Sequence, residues 1–212
     1  MAYPERIALF PLPNVVLFPT VELPLHVFEP RYRQMIAEVG QRDGILGMVL
    51  LKGDWEPRYY GKPDLYRVGC AGRIERLVKL PDGRYNFVLR GFSEFEIIEE
   101  FGDLPYRQAR VGWPAMASSD PEPSLMAALQ ATVLEYGGSA ASEAWRVLVE
   151  QRGLAGTGLL NFLCFHLDLD AVEKQSLLEA RERRAAALVE ILKFRLAQRA
   201  AGSGGGQSTL LQ

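Results

Sequence analysis

Two adjoining stretches decide the fold: Ile7-Ala-Leu-Phe-Pro-Leu-Pro-Asn-Val-Val-Leu-Phe-Pro19 and Glu22-Leu-Pro-Leu-His-Val-Phe-Glu-Pro-Arg-Tyr-Arg33. Pro11, Pro13, Pro19 and Pro24 each lack an amide donor and fix φ, so neither a continuous helix nor a central strand runs through them. Short extended pieces are what this permits. Ile7 and Leu9, Val15 and Leu17, and Leu23, Leu25 and Val27 lie two apart, a period that turns one face of each piece toward a core. The period then changes. Glu29 stands as a cap-like acid and Pro30 takes a favoured first helical position, so the spacing predicts a helix over 31–39 closed by Gly40. Its apolar members are Tyr32, Met35, Ile36 and Val39.

Strand signals dominate from Gly44 to about Trp113. Residues 45–51 read as a buried strand. Residues 53–64 hold Trp55, Pro57, Tyr59, Tyr60, Gly61 and Pro63, the composition of an exposed loop carrying aromatic rings. Residues 66–80 read as a long strand in which Gly69 and Gly72 mark a bulge or a close backbone approach, and Pro81-Asp-Gly83 turns it into the next strand. Tyr85, Phe87 and Leu89 alternate with polar neighbours, as do Phe95, Ile97 and Phe101 with Glu94, Glu96 and Glu100. Residues 105–113 supply a further extended piece. Six or seven strands with one helix predict a small closed or nearly closed barrel.

Composition shifts at Pro114. Residues 114–122 read as a linker, and beyond them the period is helical, with helices expected over 123–136, 142–152, 159–167 and 171–199, the last long enough to break. Ala185, Leu188, Leu192 and Leu196 form its apolar stripe. The expected organisation is α+β: a β-barrel over 1–113, an all-helical subdomain over 123–200, and a glycine-rich flexible tail over 201–212.

The chain has 212 residues, 48% hydrophobic and 24% charged, with a net charge of −2. That is enough to bury one good core or two modest ones. The charge gives no overall attraction to nucleic acid or anionic lipid, and the apolar runs are far shorter than a membrane span requires. A cytoplasmic protein is expected. Cys70 and Cys164, far apart in sequence, suit buried reduced thiols.

With the motifs in place, a resemblance emerges. The opening block, the stretch Val68-Gly-Cys-Ala-Gly-Arg-Ile-Glu-Arg-Leu-Val-Lys-Leu-Pro-Asp-Gly-Arg84 with Gly91 beyond it, and Asp170-Ala-Val-Glu-Lys-Gln-Ser-Leu-Leu-Glu179 resemble, in order, the N-terminal substrate-binding domain of Lon protease. The resemblance reaches to about residue 200. It implies a PUA-like barrel followed by a helical part, and a role in engaging polypeptide substrates. Pro13 departs from the Lon pattern, and the Phe28-Glu-Pro-Arg-Tyr-Arg33 form looks more like standalone Lon-domain proteins and eukaryotic multidomain relatives.

Lon's ATPase would need a phosphate loop ending in Gly-Lys-Ser/Thr, and no such sequence occurs; Gly153-Leu-Ala-Gly-Thr-Gly158 lacks the lysine. The expectation is a non-catalytic module without cofactor or metal, since His26 and His166 are the only histidines and no paired Cys-x-x-Cys is present. Cys164-Phe-His166 reads as helix packing and His26 as exposed. Trp55, Tyr59, Tyr60 and Tyr66 are the peptide-binding candidates, because aromatic rings give contact area at low entropy cost; the bland alternative is that they fold back onto the barrel. Arg31, Arg33, Arg184 and Arg195 are the candidates for contact with a partner. The C-terminal helix sets Arg181, Arg183, Arg184, Lys193, Arg195 and Arg199 against Glu182 and Glu190, which keeps an RNA-binding alternative open. The expected partner is an unfolded or exposed polypeptide segment or a dedicated protein, with nucleic acid second and no membrane.

Overall fold

A computed structural model describes residues 3–59, 61–114 and 120–204. Six strands, β1 (Arg6–Leu12), β2 (Glu22–Val27), β3 (Ile45–Leu50), β4 (Val68–Lys79), β5 (Tyr85–Phe101) and β6 (Gln108–Gly112), form one sheet in the order β2-β5-β4-β3-β1-β6. The sheet closes because β5 also pairs with β6, giving a five-strand barrel with β2 as an added edge. Only β1 and β3 are parallel.

A single strand takes three partners because it is long and bent. Along β5 the buried positions Tyr85, Phe87, Leu89, Phe95 and Ile97 keep the alternation read from sequence. Register shifts opposite Ala71/Gly72 and between Ile97 and Glu99 bend it, so its first half holds β2 and its second half closes on β6. The interior is filled by Ile7, Leu9, Val49, Phe95, Ile97 and Val111, with Trp113 against them. Phe95 lies over strand glycines: a Cβ on Gly47 would stand 2.8 Å from its ring, and one on Gly69 would stand 2.6 Å away. Small residues are what let a barrel this narrow contain a phenyl ring.

The one-faced reading of β1 needs correction, because residues 7–11 are buried on both faces. The cause is α1 (Pro30–Gly40), which packs on β1 and β3 from outside, with Tyr32 4.6 Å from Phe10 between ring centroids. Residues 13–21 form no strand, and Val16 and Phe18 are buried instead of Val15. Their backbone is tied to β5 by Thr20 N–H donating to the Gly91 carbonyl (2.8 Å) and Gly91 N–H to the Val21 carbonyl (2.9 Å).

The helices are α1, α2 (Pro123–Gly137), α3 (Ser139–Arg146), α4 (Gly156–His166), α5 (Ala171–Ala180) and α6 (Arg184–Gly204). The expected helix over 142–152 begins earlier and ends in a wider turn over Val147–Gln151. The long final helix breaks at Arg181, whose φ of 48° cannot continue a right-handed helix. Asp170 and Glu173 cap α5 reciprocally: each side chain accepts from the other's backbone N–H, at 2.8 and 2.9 Å. α6 runs on to Gly204, so the tail expected from residue 201 begins no earlier than 205, outside the described residues.

The chain divides into two compact units, Met1–Ala117 with Asn161–Glu179 and Ser118–Leu160 with Ala180–Gln212. The division read from composition, at 113 and 123, differs because residues 161–179 return to the strands. Gln175, 1% exposed, donates to the Val68 carbonyl at 2.9 Å. In the second unit α2 packs on α6 through Leu129 and Val133, and Arg199 donates to the Tyr136 carbonyl at 3.0 Å. Cys70 and Cys164 are buried, and neither is in a disulfide.

Candidate functional site

A groove of about 190 Å³ opens beside the barrel, within the first unit. Its parts come from separate places in sequence: Pro11 from β1, Arg31 and Tyr32 from the first turn of α1, Tyr59 from the aromatic loop, and Phe101 from the end of β5. The β5–β6 connection closes it with Leu104, Pro105, Tyr106 and Arg107. Two features of sequence make this geometry. Pro30 starts α1 so that Arg31 and Tyr32 fall on its first turn, and Gly102-Asp-Leu-Pro105 turns the chain between antiparallel strands.

The polar groups are held in place. Tyr59 Oη donates to Glu29 Oε1 at 2.8 Å while Arg31 Nε donates to Glu29 Oε2 at 3.1 Å. The Arg31 guanidinium also lies over the Tyr32 and Tyr59 rings, 4.5 and 5.3 Å from their centroids. Arg107 grips Glu100 through Nε and Nη2 and donates from Nη1 to the Pro63 carbonyl at 2.6 Å, which pins the aromatic loop to the barrel. Tyr106 Oη donates to Glu38 at 2.6 Å, a bond that holds the Glu38 carboxyl below its usual range. A second, more polar depression of about 560 Å³ shares Lys62 and Arg107 with the groove.

Burial pushes the Tyr32 phenol up to about 12, and burial aided by the Glu38 hydrogen bond brings Tyr106 to about 12 as well. A phenol whose folded pKa stands above its unfolded value of about 10 gives its full stability below pH 10 and loses it as pH rises through the folded value. The thermal midpoint should hold from neutral pH to about 10 and drop between 10 and 12. Scanning calorimetry across that range checks this, and a midpoint that falls already at pH 9 would contradict it.

Of the aromatic candidates, Tyr59 lines the groove, and Trp55 stands against it edge-on at 5.9 Å. Tyr66 is apart, half-buried, with the Lys52 ammonium 5.7 Å from its ring, and Tyr60 lies outside the described residues. The loop is partly folded back, its Glu56–Arg58 turn helical. Arg31 belongs to the groove. Arg33 instead donates to the Gly83 carbonyl at 2.7 Å, bracing the β4–β5 turn. Arg184, expected among the partner contacts, needs correction: at 3% exposure its side chain is not open to another chain. Arg195 is half-buried and Arg199 lies over the Tyr136 ring at 4.1 Å, so the basic run does not present one continuous cationic face. His26 is exposed and bonded to Asn86, whereas His166, expected within helix packing, is exposed beside a buried Cys164. Among the described residues no cluster of His, Cys, Asp or Glu is placed to hold a metal, and no helix is long and apolar enough to cross a membrane.

Sequence reasoning missed Pro11, Tyr32, Leu51, Leu104 and Arg107 as site residues. Apolar periodicity assigned Tyr32 to the core, where its ring does lie; only the Pro-Tyr-Arg run after Leu104 signalled a chain segment with surface work.

The family model of the ATP-dependent protease La (Lon) substrate-binding domain matches residues 6–193. "Lon protease 2" of Syntrophobacter fumaroxidans is 33% identical over 190 residues, which are 86% of this chain and 23% of that protein. The Lon protease of Flavobacterium johnsoniae is 28% identical, over 90% of this chain and 24% of its own length. The chain thus spans about a quarter of these relatives. Among solved structures, a Lon N-terminal domain protein from Xanthomonas campestris superposes with a TM-score of 0.62 at 25% identity, covering 89% of this chain and 97% of that one. The N-terminal domain of a Mycobacterium avium complex Lon protease gives a TM-score of 0.64 at 16% identity, covering 89% and 98%, and so shares the fold.

Proposed function

The chain belongs to the Lon substrate-binding domain family, and from that premise we propose that it is a non-catalytic polypeptide-recognition module, acting as an adaptor or chaperone-like regulator of proteolysis. The groove is the observation that supports this: rings and prolines on its walls, with cations beside them. Apolar walls of this kind accept many side chains, so recognition is tolerant of sequence, while fixed aromatic anchors keep the entropy cost of binding low.

A fluorescence anisotropy titration tests the reading, using a labelled reduced and carboxymethylated protein, the same protein folded, and a structured RNA. Saturable binding of the unfolded form alone is expected. Tyr59→Ala together with Leu104→Ala should weaken it about tenfold, equivalent to 1.4 kcal/mol, with little change in melting temperature because both side chains are half-buried. Trp55→Ala, outside the groove lining, should act less. Binding to RNA alone, or to the folded form equally well, would refute the module.

A further inference from the structure

Tyr32 brings a donor without a protein partner to the lining of the groove. The residue is 4% exposed and lines the cavity, and its hydroxyl makes no hydrogen bond among the described residues. Its oxygen is not among the sealed, unpartnered polar atoms, so it is open to water in the groove, and a ligand group that enters there can take the place of that water. Charge narrows the partner's chemistry. Arg31, Lys62 and Arg107 line the cavity and no carboxylate does. Glu29 and Glu100 pair with the two arginines from behind and Glu38 accepts from Tyr106, which leaves Lys62 as the lining cation with no ion pair among the described residues.

Size narrows it further. A cavity of about 150 Å³ holds a benzene ring, so about 190 Å³ admits one apolar side chain and a small polar group, not a helix. An Asp or Glu side chain would bring an anion but leave Pro11, Leu51 and Leu104 without an apolar partner. The last residue of a polypeptide brings both from one Cα.

We propose that the groove captures polypeptide C-termini, the free carboxylate accepting from the Tyr32 hydroxyl beside Arg31 and Arg107, and the terminal apolar side chain packing on Pro11, Leu51 and Leu104. This rests on the reading of the chain as a polypeptide-recognition module. The neutral phenol is the right donor, since it adds no charge to be desolvated when empty and pairs strongly with an anion when filled.

The test uses one fluorescein-labelled unstructured decapeptide ending in leucine, prepared as the free acid and as the C-terminal amide, beside the carboxymethylated unfolded protein. A hydrogen bond to a charged group corresponds to roughly tenfold to a hundredfold in affinity, so the acid should bind at least tenfold more tightly than the amide. Tyr32→Phe should bring the acid down to the amide's affinity with no loss of melting temperature, because no protein bond is removed. Lys62→Glu, at an exposed position, should weaken the acid severalfold and leave the amide unchanged. Equal binding of acid and amide, or discrimination that survives Tyr32→Phe, would overturn the inference. Binding of the unfolded protein with neither peptide overturns it while leaving the recognition module standing; binding of nothing overturns both.

Discussion

Phe95→Ala should destabilise the barrel by about 4 kcal/mol, the loss expected when a fully enclosed phenyl ring leaves a cavity that its neighbours cannot fill. Phe95 is 0% exposed, and its surroundings have little freedom to collapse. The floor beneath the ring is backbone at Gly47 and Gly69, the walls are Ile7 and Val111 of paired strands, and Trp113 meets it edge-on at 6.2 Å. The measurement is urea unfolding followed by tryptophan fluorescence, since Trp113 reports directly on this contact. Phe194→Ala, at 64% exposure, is the control and should move the midpoint by less than about 0.5 kcal/mol. A Phe95→Ala midpoint within 1 kcal/mol of the parent, by roughly the same fluorescence probe, would mean that the interior is not the barrel's main support.

Gly91→Ala should cost about 3 kcal/mol by a different route, overpacking against an immobile neighbour. A Cβ at Gly91 would run into the Phe18 carbonyl oxygen, with the Cys70 sulfur 3.3 Å away. The carbonyl cannot step aside. Residues on either side of it are held by the two backbone hydrogen bonds between Gly91 and the Thr20–Val21 segment, and Phe18 itself is 0% exposed. Thr20, with φ of 68°, already sits in the left-handed region, so the segment has no easier conformation to adopt. Gly102→Ala, where a Cβ meets nothing within 4 Å, separates this clash from a general effect of adding a methyl group. If the two substitutions shift the urea midpoint alike, the close approach at Gly91 is not what requires glycine.

The two results would also separate what was legible in the chain from what was not. Proline spacing foretold the short strands β1 and β2 but not the irregular course of residues 13–21, and the alternation of Tyr85, Phe87, Leu89, Phe95 and Ile97 foretold their strand and its buried face. Pro30 and Gly40 marked the ends of α1. These are local effects, in which a residue's own backbone and a period of 2 or 3.6 suffice. The reading failed where burial came from a distant element. β1 looked one-sided because nothing in residues 6–12 says that α1 will cover its outer face, and Gln175 was invisible as a tether to Val68, 107 positions away.

The site follows the same rule. Loop composition singled out Tyr59, and Arg31 stood among the partner-contact candidates; both line the groove, each half-buried. Arg184 was misjudged: a basic residue in a basic run reads as solvated, yet the fold buries it. Tyr32 was assigned to the core from its period, and its ring is there; that it also lines a cavity depends on where Pro11, Leu51 and Leu104 come to rest. Sequence by itself determined the α+β class, most elements, the family blocks and the absence of a phosphate loop, all carried by neighbours in the chain. Tertiary structure decided the closure of β5 on β6, the return of residues 161–179 to the strands, and the groove, because each joins segments whose meeting depends on the packing of the whole barrel rather than on any local preference.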